Sequence, residues 1–177
     1  ISNSPNLFAH NSSNIKNMNI KPIFYTLEEW SFQLQTFIQS FILVFFVFLF
    51  LKSTLVINLL LYSWLPLLNL IIFIYWFPLI VCLISVRFRD IAQLVPIVLQ
   101  LVFLTSPILY KKESLGSLEW ITNLNFIYQI LDPIRVSIID GSVNYLTSIL
   151  LLFINLIALF FTIRLLNSES KILPFLL

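Results

Sequence analysis

Arg87-Phe88-Arg89-Asp90 decides the fold. Three of these four residues are charged, and they stand between two long uncharged stretches. Residues 53–86 contain no Asp, Glu, Lys or Arg, and neither do residues 91–110, which close on Ser106-Pro107-Ile108-Leu109-Tyr110. A charged side chain at the centre of a bilayer costs at least about 2.5–3.5 kcal/mol. A charged knot between two apolar runs is therefore a short loop that holds two membrane spans at one face. Basic residues in short loops favour the cytoplasmic side, so this knot orients the rest of the chain.

The composition agrees. The 177 residues are 59 % hydrophobic and 10 % charged, with a mean hydropathy of +0.98. Soluble domains carry roughly 25 % charged residues. The polar surface is too small to coat a soluble globule, so the class is integral membrane protein. A net charge of +2 gives no reason to expect a nucleic-acid partner. Gly116 and Gly141 are the only glycines and lie outside the apolar runs, which excludes glycine-mediated helix packing. The single cysteine, Cys82, cannot form an internal disulfide and reads as a small core residue. The chain starts at Ile1 with a mostly polar lead and no signal peptide, so a fragment or processed product is expected.

Outward from the knot, residues 31–51 give a first span of about 30 Å, with Trp30 and Lys52 at its borders. The uncharged residues 53–86 are too many for one span and too few for two. They predict a short outer loop at 53–58 and one long span at 59–85, kinked at Pro66 and Pro78. Residues 91–110 and 145–163 give two more spans. In the polar lead, Ser12 or Ser13 starts a short helix that Pro22 ends, with Ile15, Met18 and Phe24 facing headgroups or a partner. Residues 111–144 are too polar to span and too apolar for an ordinary loop. Ser117 starts one short helix there; Asp132-Pro133 starts another, which Gly141 stops. Four spans put both ends on the cytoplasmic side. Lys16, Lys21, Arg87, Arg89, Arg164 and Lys171 then lie inside, against Lys52, Lys111, Lys112 and Arg135 outside.

Catalytic chemistry is missing. One histidine (His10) and one cysteine cannot build a zinc site. No carboxylate lies inside a span, which argues against an intramembrane proton relay. A P-loop needs two glycines five residues apart followed by Lys, and Gly116 and Gly141 cannot supply it. If the chain moves something against a gradient, the energy comes from another subunit. Within the spans, Gln93 and Gln100 share a helix face, and reads either as interhelical hydrogen bonding or as substrate contact. Trp76 lies about 16 Å from Arg87 along a helix, beside Tyr75. Core packing or a sugar-stacking surface both account for this pair.

These elements resemble a family. Val86-Arg87-Phe88-Arg89-Asp90-Ile91, a span ending in Ser106-Pro107-Ile108-Leu109-Tyr110, and Leu131-Asp132-Pro133-Ile134 before a last span look like the permease subunit of ABC-2-type polysaccharide exporters. Those export O-antigen, capsule or teichoic acid polymers. Order and spacing match along most of residues 13–165. The resemblance implies an all-α bundle of six transmembrane helices, of which this chain holds four and lacks the first two. It implies a bacterial inner-membrane homodimer paired with nucleotide-binding ABC subunits. ATP and Mg would sit on those partners, no cofactor on this chain, and the substrate would be a lipid-linked glycan. The stretch before the first span here would couple to the ATPase through Ile15, Lys16, Asn17 and Met18, together with Arg87, Arg89 and Asp90. Residues 114–141 would form re-entrant gate helices carrying Trp120, Phe126, Tyr128, Asp132, Pro133 and Arg135. Tyr75, Trp76, Gln93, Gln100 and Tyr110 are candidates to line the channel. The family usually has Asn before the gate proline, where this chain has Asp132. Competing classes are a membrane-embedded glycosyl- or acyltransferase, weakened by the missing catalytic residues, and a scaffold subunit without transport.

Overall fold

The structure, a computed structural model, describes residues 4–17, 20–106 and 125–176. All regular structure among them is helical. A 3-10 turn at Ser4–Asn6 leads into α1 (Leu7–His10) and α2 (Ser12–Asn17). Then come α3 (Pro22–Leu51), α4 (Ser53–Tyr62), α5 (Trp64–Arg87) and α6 (Ile91–Thr105). After the undescribed segment follow α7 (Phe126–Ile139), α8 (Tyr145–Glu169) and α9 (Leu173–Leu176). The all-α membrane class therefore holds. Among the described residues three helices, α3, α5 and α8, are long and apolar enough to cross a bilayer. The expected third span appears as α6, whose 15 residues reach only about 22 Å; residues 107–110 lie outside the described residues.

Prolines explain where the boundaries differ from expectation. Pro22 was expected to end a helix and instead begins α3. Its fixed φ suits the first helical position, where no N–H is needed. The expected loop at 53–58 is the helix α4, entered through Lys52 in extended conformation. The expected single helix from 59 is interrupted at Ser63. Pro66 has no N–H to give to Tyr62, and its ring crowds that carbonyl. Pro66 thus produces a break rather than a kink. Pro78 and Pro96 lie inside α5 and α6.

The chain forms two compact units. The first contains residues 1–43, 71–96 and 153–177. Its core gathers Phe8, Ile15, Tyr25, Leu79, Cys82, Leu166 and Leu173. Phe8 and Cys82 are fully buried, so the polar lead is packed rather than free. The second unit contains residues 44–70 and 97–152, where α4 packs on α7.

Polar residues join α5 to α8 at matched positions. Asn69 Nδ2 donates to the Ser148 carbonyl (2.9 Å), and Trp76 Nε1 donates to Asn155 Oδ1 (2.9 Å). Both pairs are separated by 79 residues in sequence. The Asn69 bond lies within the second unit and the Trp76 bond within the first. Trp76→Phe keeps the ring and removes the donor. The expected loss is about 1 kcal/mol, the scale of interhelical hydrogen bonds in membranes. Thermal unfolding in detergent should show it, and Asn155→Leu should then cost less in the Trp76→Phe background than alone. Equal costs in both backgrounds would mean that the bond contributes nothing.

Candidate functional site

In the first unit, α5 and α6 are joined by Phe88, Arg89 and Asp90 alone. Phe88 N still donates to Ile84 O (3.0 Å), and the Asp90 carbonyl already accepts from Gln93 N (3.1 Å) and Leu94 N (3.2 Å). All four residues of the knot are exposed. Arg87 Nη2 lies 3.6 Å from Glu169 Oε1, with side chains 60 % and 32 % exposed. An ion pair so open to solvent adds at most about 1 kcal/mol. It does show that the end of α8 stands beside the end of α5. Ser85 Oγ lies 2.8 Å from the Cys82 carbonyl and 3.0 Å from the Pro5 carbonyl, and donates to both; this holds the lead against α5.

A groove of about 330 Å³ has Pro5, Ala9 and Ser12 on one wall and Ser85, Arg89 and Ala92 on the other. It brings α1 and α2 to the charged loop. Lys16 and Asn17 are exposed. Ile15, expected to face headgroups or a partner, is instead 5 % exposed in the core. Its apolar side chain packs in the core of the first unit and anchors α2 there. Met18 lies outside the described residues.

In the second unit, α7 carries most of the expected gate residues; Trp120 lies outside the described residues. The helix was expected to start at Asp132-Pro133, but it starts at Phe126, and Pro133 falls inside it. Asn125 is the reason. Its Oδ1 accepts from Tyr128 N (3.1 Å), which caps the first turn. Its Nδ2 donates to Val102 O (2.9 Å) and Ser106 Oγ (2.7 Å) at the end of α6. One buried amide thus starts α7 and ties it to α6. The signal was readable, since Asn stands immediately before the run Phe-Ile-Tyr-Gln-Ile-Leu.

The far end of α7 is fixed on α4. Asn58 Nδ2 donates to Ile138 O (3.1 Å). Ser137 Oγ gives its proton to Ile134 O (2.8 Å), so Ser63 Oγ donates to Ser137 Oγ across 2.8 Å. Both serines are completely buried. Gly141, at φ +63, turns the chain after α7 as expected of the stop residue. On the other face, partial burial and a hydrogen bond to Asp132 push the Tyr128 hydroxyl up to about 12. It stays protonated and donating through the physiological range. Phe126 is 39 % exposed.

Of the candidate channel residues, Tyr75 and Trp76 are partly buried in the first unit. Tyr75 packs edge-on against Trp30, with centroids 5.6 Å apart at 77°. Trp76 is half-buried, with its N–H directed to Asn155 and its ring against Phe73 and Phe77. Gln93 and Gln100 both lie exposed on α6, which buries none of its residues. Tyr110 lies outside the described residues.

Residues 17–139 of the 177 match the family model described as ABC-2 type transporter. The chain belongs to the ABC-2 type transporter family. The matched region runs from the end of α2 to the end of α7. It includes both the charged loop and the Asn125-capped helix. No curated protein and no solved structure matches the chain. As an ABC-2 permease it is the multi-pass transmembrane subunit of an ABC exporter, and members of this family generally pair with a nucleotide-binding ABC subunit.

Proposed function

We propose that this ABC-2 permease exports a lipid-linked polysaccharide across the bacterial plasma membrane as a homodimer. ATP and Mg²⁺ are held by a separate nucleotide-binding subunit. The observation that carries the substrate class is the exposed face of α6 with Gln93 and Gln100 seven residues apart. Uncharged amides donate and accept hydrogen bonds to sugar hydroxyls without the desolvation cost of a charge. They would be out of place against lipid. Residues 4–17 and the Arg87–Asp90 loop form the surface that receives the ATPase. The segment holding α7 acts as the outer gate, with Phe126, Tyr128, Asp132, Pro133 and Arg135 as its gate residues.

Deletion of the gene tests this reading. Surface polysaccharide should disappear while lipid-linked glycan accumulates inside. Wild-type protein should restore export, and Gln93→Leu/Gln100→Leu should restore at most about a tenth of it. Unchanged surface polysaccharide in the deletion strain would refute the substrate class. Phe126→Ala/Tyr128→Ala should loosen closure and let small solutes leak. Unaltered permeability and export would reduce α7 to an inert surface hairpin.

A further inference from the structure

In the first unit, a cavity of about 530 Å³ lies where α3 begins and α8 ends. Lys21 and Lys171 both line it, and no acidic residue does. Among the described residues neither lysine forms an ion pair. The nearest acid in sequence, Glu169, lies 3.6 Å from Arg87 instead. Both ammonium groups are exposed to solvent beside one cavity, where their summed positive potential attracts an anion. Asn167 and Ser170 add an amide and a hydroxyl to the same wall. The Ser170 hydroxyl donates to the Asn167 carbonyl (2.7 Å), which fixes the turn that presents Lys171. The remaining lining is apolar, including Ile23 and Leu166.

We infer that this cavity binds the headgroup of an anionic phospholipid. The phosphate lies between Lys21 and Lys171, and the acyl chains follow the apolar surfaces of α3 and α8. Charge complementarity and position both favour a lipid. The cavity sits at the ends of two helices long and apolar enough to span, where headgroups are met. A basic residue near an anionic membrane surface contributes about a fivefold gain in binding. The site does not depend on which solute is exported.

The test uses the purified chain in detergent, titrated with phosphatidylglycerol or phosphatidylcholine and read by native mass spectrometry. Wild type should prefer phosphatidylglycerol by about tenfold or more. Lys21→Ala/Lys171→Ala should lose most of that preference. Lys21→Arg/Lys171→Arg should keep it, which excludes misfolding as the cause. Lys52→Ala/Arg164→Ala, which removes equal charge elsewhere, should also keep it. The proposal fails if the alanine pair retains the preference, if the arginine pair loses it while folded, or if the control loses as much. Loss of the nucleotide-binding subunit in the alanine pair, with lipid preference intact, would assign the cavity to a protein contact instead.

Discussion

Asn125→Leu is expected to cost about 2–4 kcal/mol and to release α7 from the end of α6. The substitution removes a helix cap, which is worth about 0.5–2 kcal/mol. It also removes the donor shared by Val102 O and Ser106 Oγ, at 2.9 and 2.7 Å. Asn125 is only 7 % exposed and Ser106 1 %. Water therefore cannot easily replace what is lost, and an unsatisfied buried polar group costs about 1–3 kcal/mol. Asn125→Asp separates the two contributions: a carboxylate still caps Tyr128 N, but cannot donate to α6. Thermal unfolding should rank wild type above Asp, and Asp above Leu. Protease sensitivity of residues 126–139 should rise in the same order. Equal stability of all three would show that α7 is held by its apolar face alone.

Gly141→Ala should be nearly as damaging, by about 2–3 kcal/mol. Two costs add. The left-handed backbone at φ +63 penalises any Cβ by about 1–2 kcal/mol. That Cβ would also lie 2.8 Å from Asn58 Oδ1. Asn58 cannot move aside freely, because its amide donates to Ile138 O. The double variant Asn58→Ala/Gly141→Ala removes the clash and keeps the backbone strain. Gly141→Ala should therefore add less destabilisation in the Asn58→Ala background than in wild type. Identical increments would leave backbone strain as the whole effect.

The membrane class and the joint between α5 and α6 were legible because charge is so costly in lipid. Arg87-Phe88-Arg89-Asp90 could not have been placed inside a span. Three other features depend on contacts distant in sequence. Ile15 looked available to a partner because its neighbours are polar, but the cavity it fills is built by Leu79, Cys82 and Leu166. The partner of the Trp76 N–H, Asn155, lies 79 residues away and is invisible to local pattern. Asp132-Pro133 has the local chemistry of a helix start. Asn125 prevails because it is rewarded at both ends, by Tyr128 within the helix and by Ser106 outside it. A proline seven residues in then costs one missing bond rather than a new beginning. At Pro66 the missing N–H leaves the Tyr62 carbonyl without its helical donor, and the helix divides at Ser63.

In the proposed assembly the lead and the charged loop form one surface that receives the ATPase. Site-directed crosslinking of the assembled transporter tests it most directly. Cysteines are introduced singly at Lys16, Arg89 and Asp140, all exposed, in a Cys82→Ala background. A short bifunctional thiol–amine reagent should join positions 16 and 89 to the nucleotide-binding subunit and leave position 140 unjoined. Crosslinking at 140, with none at 16 or 89, would contradict the account.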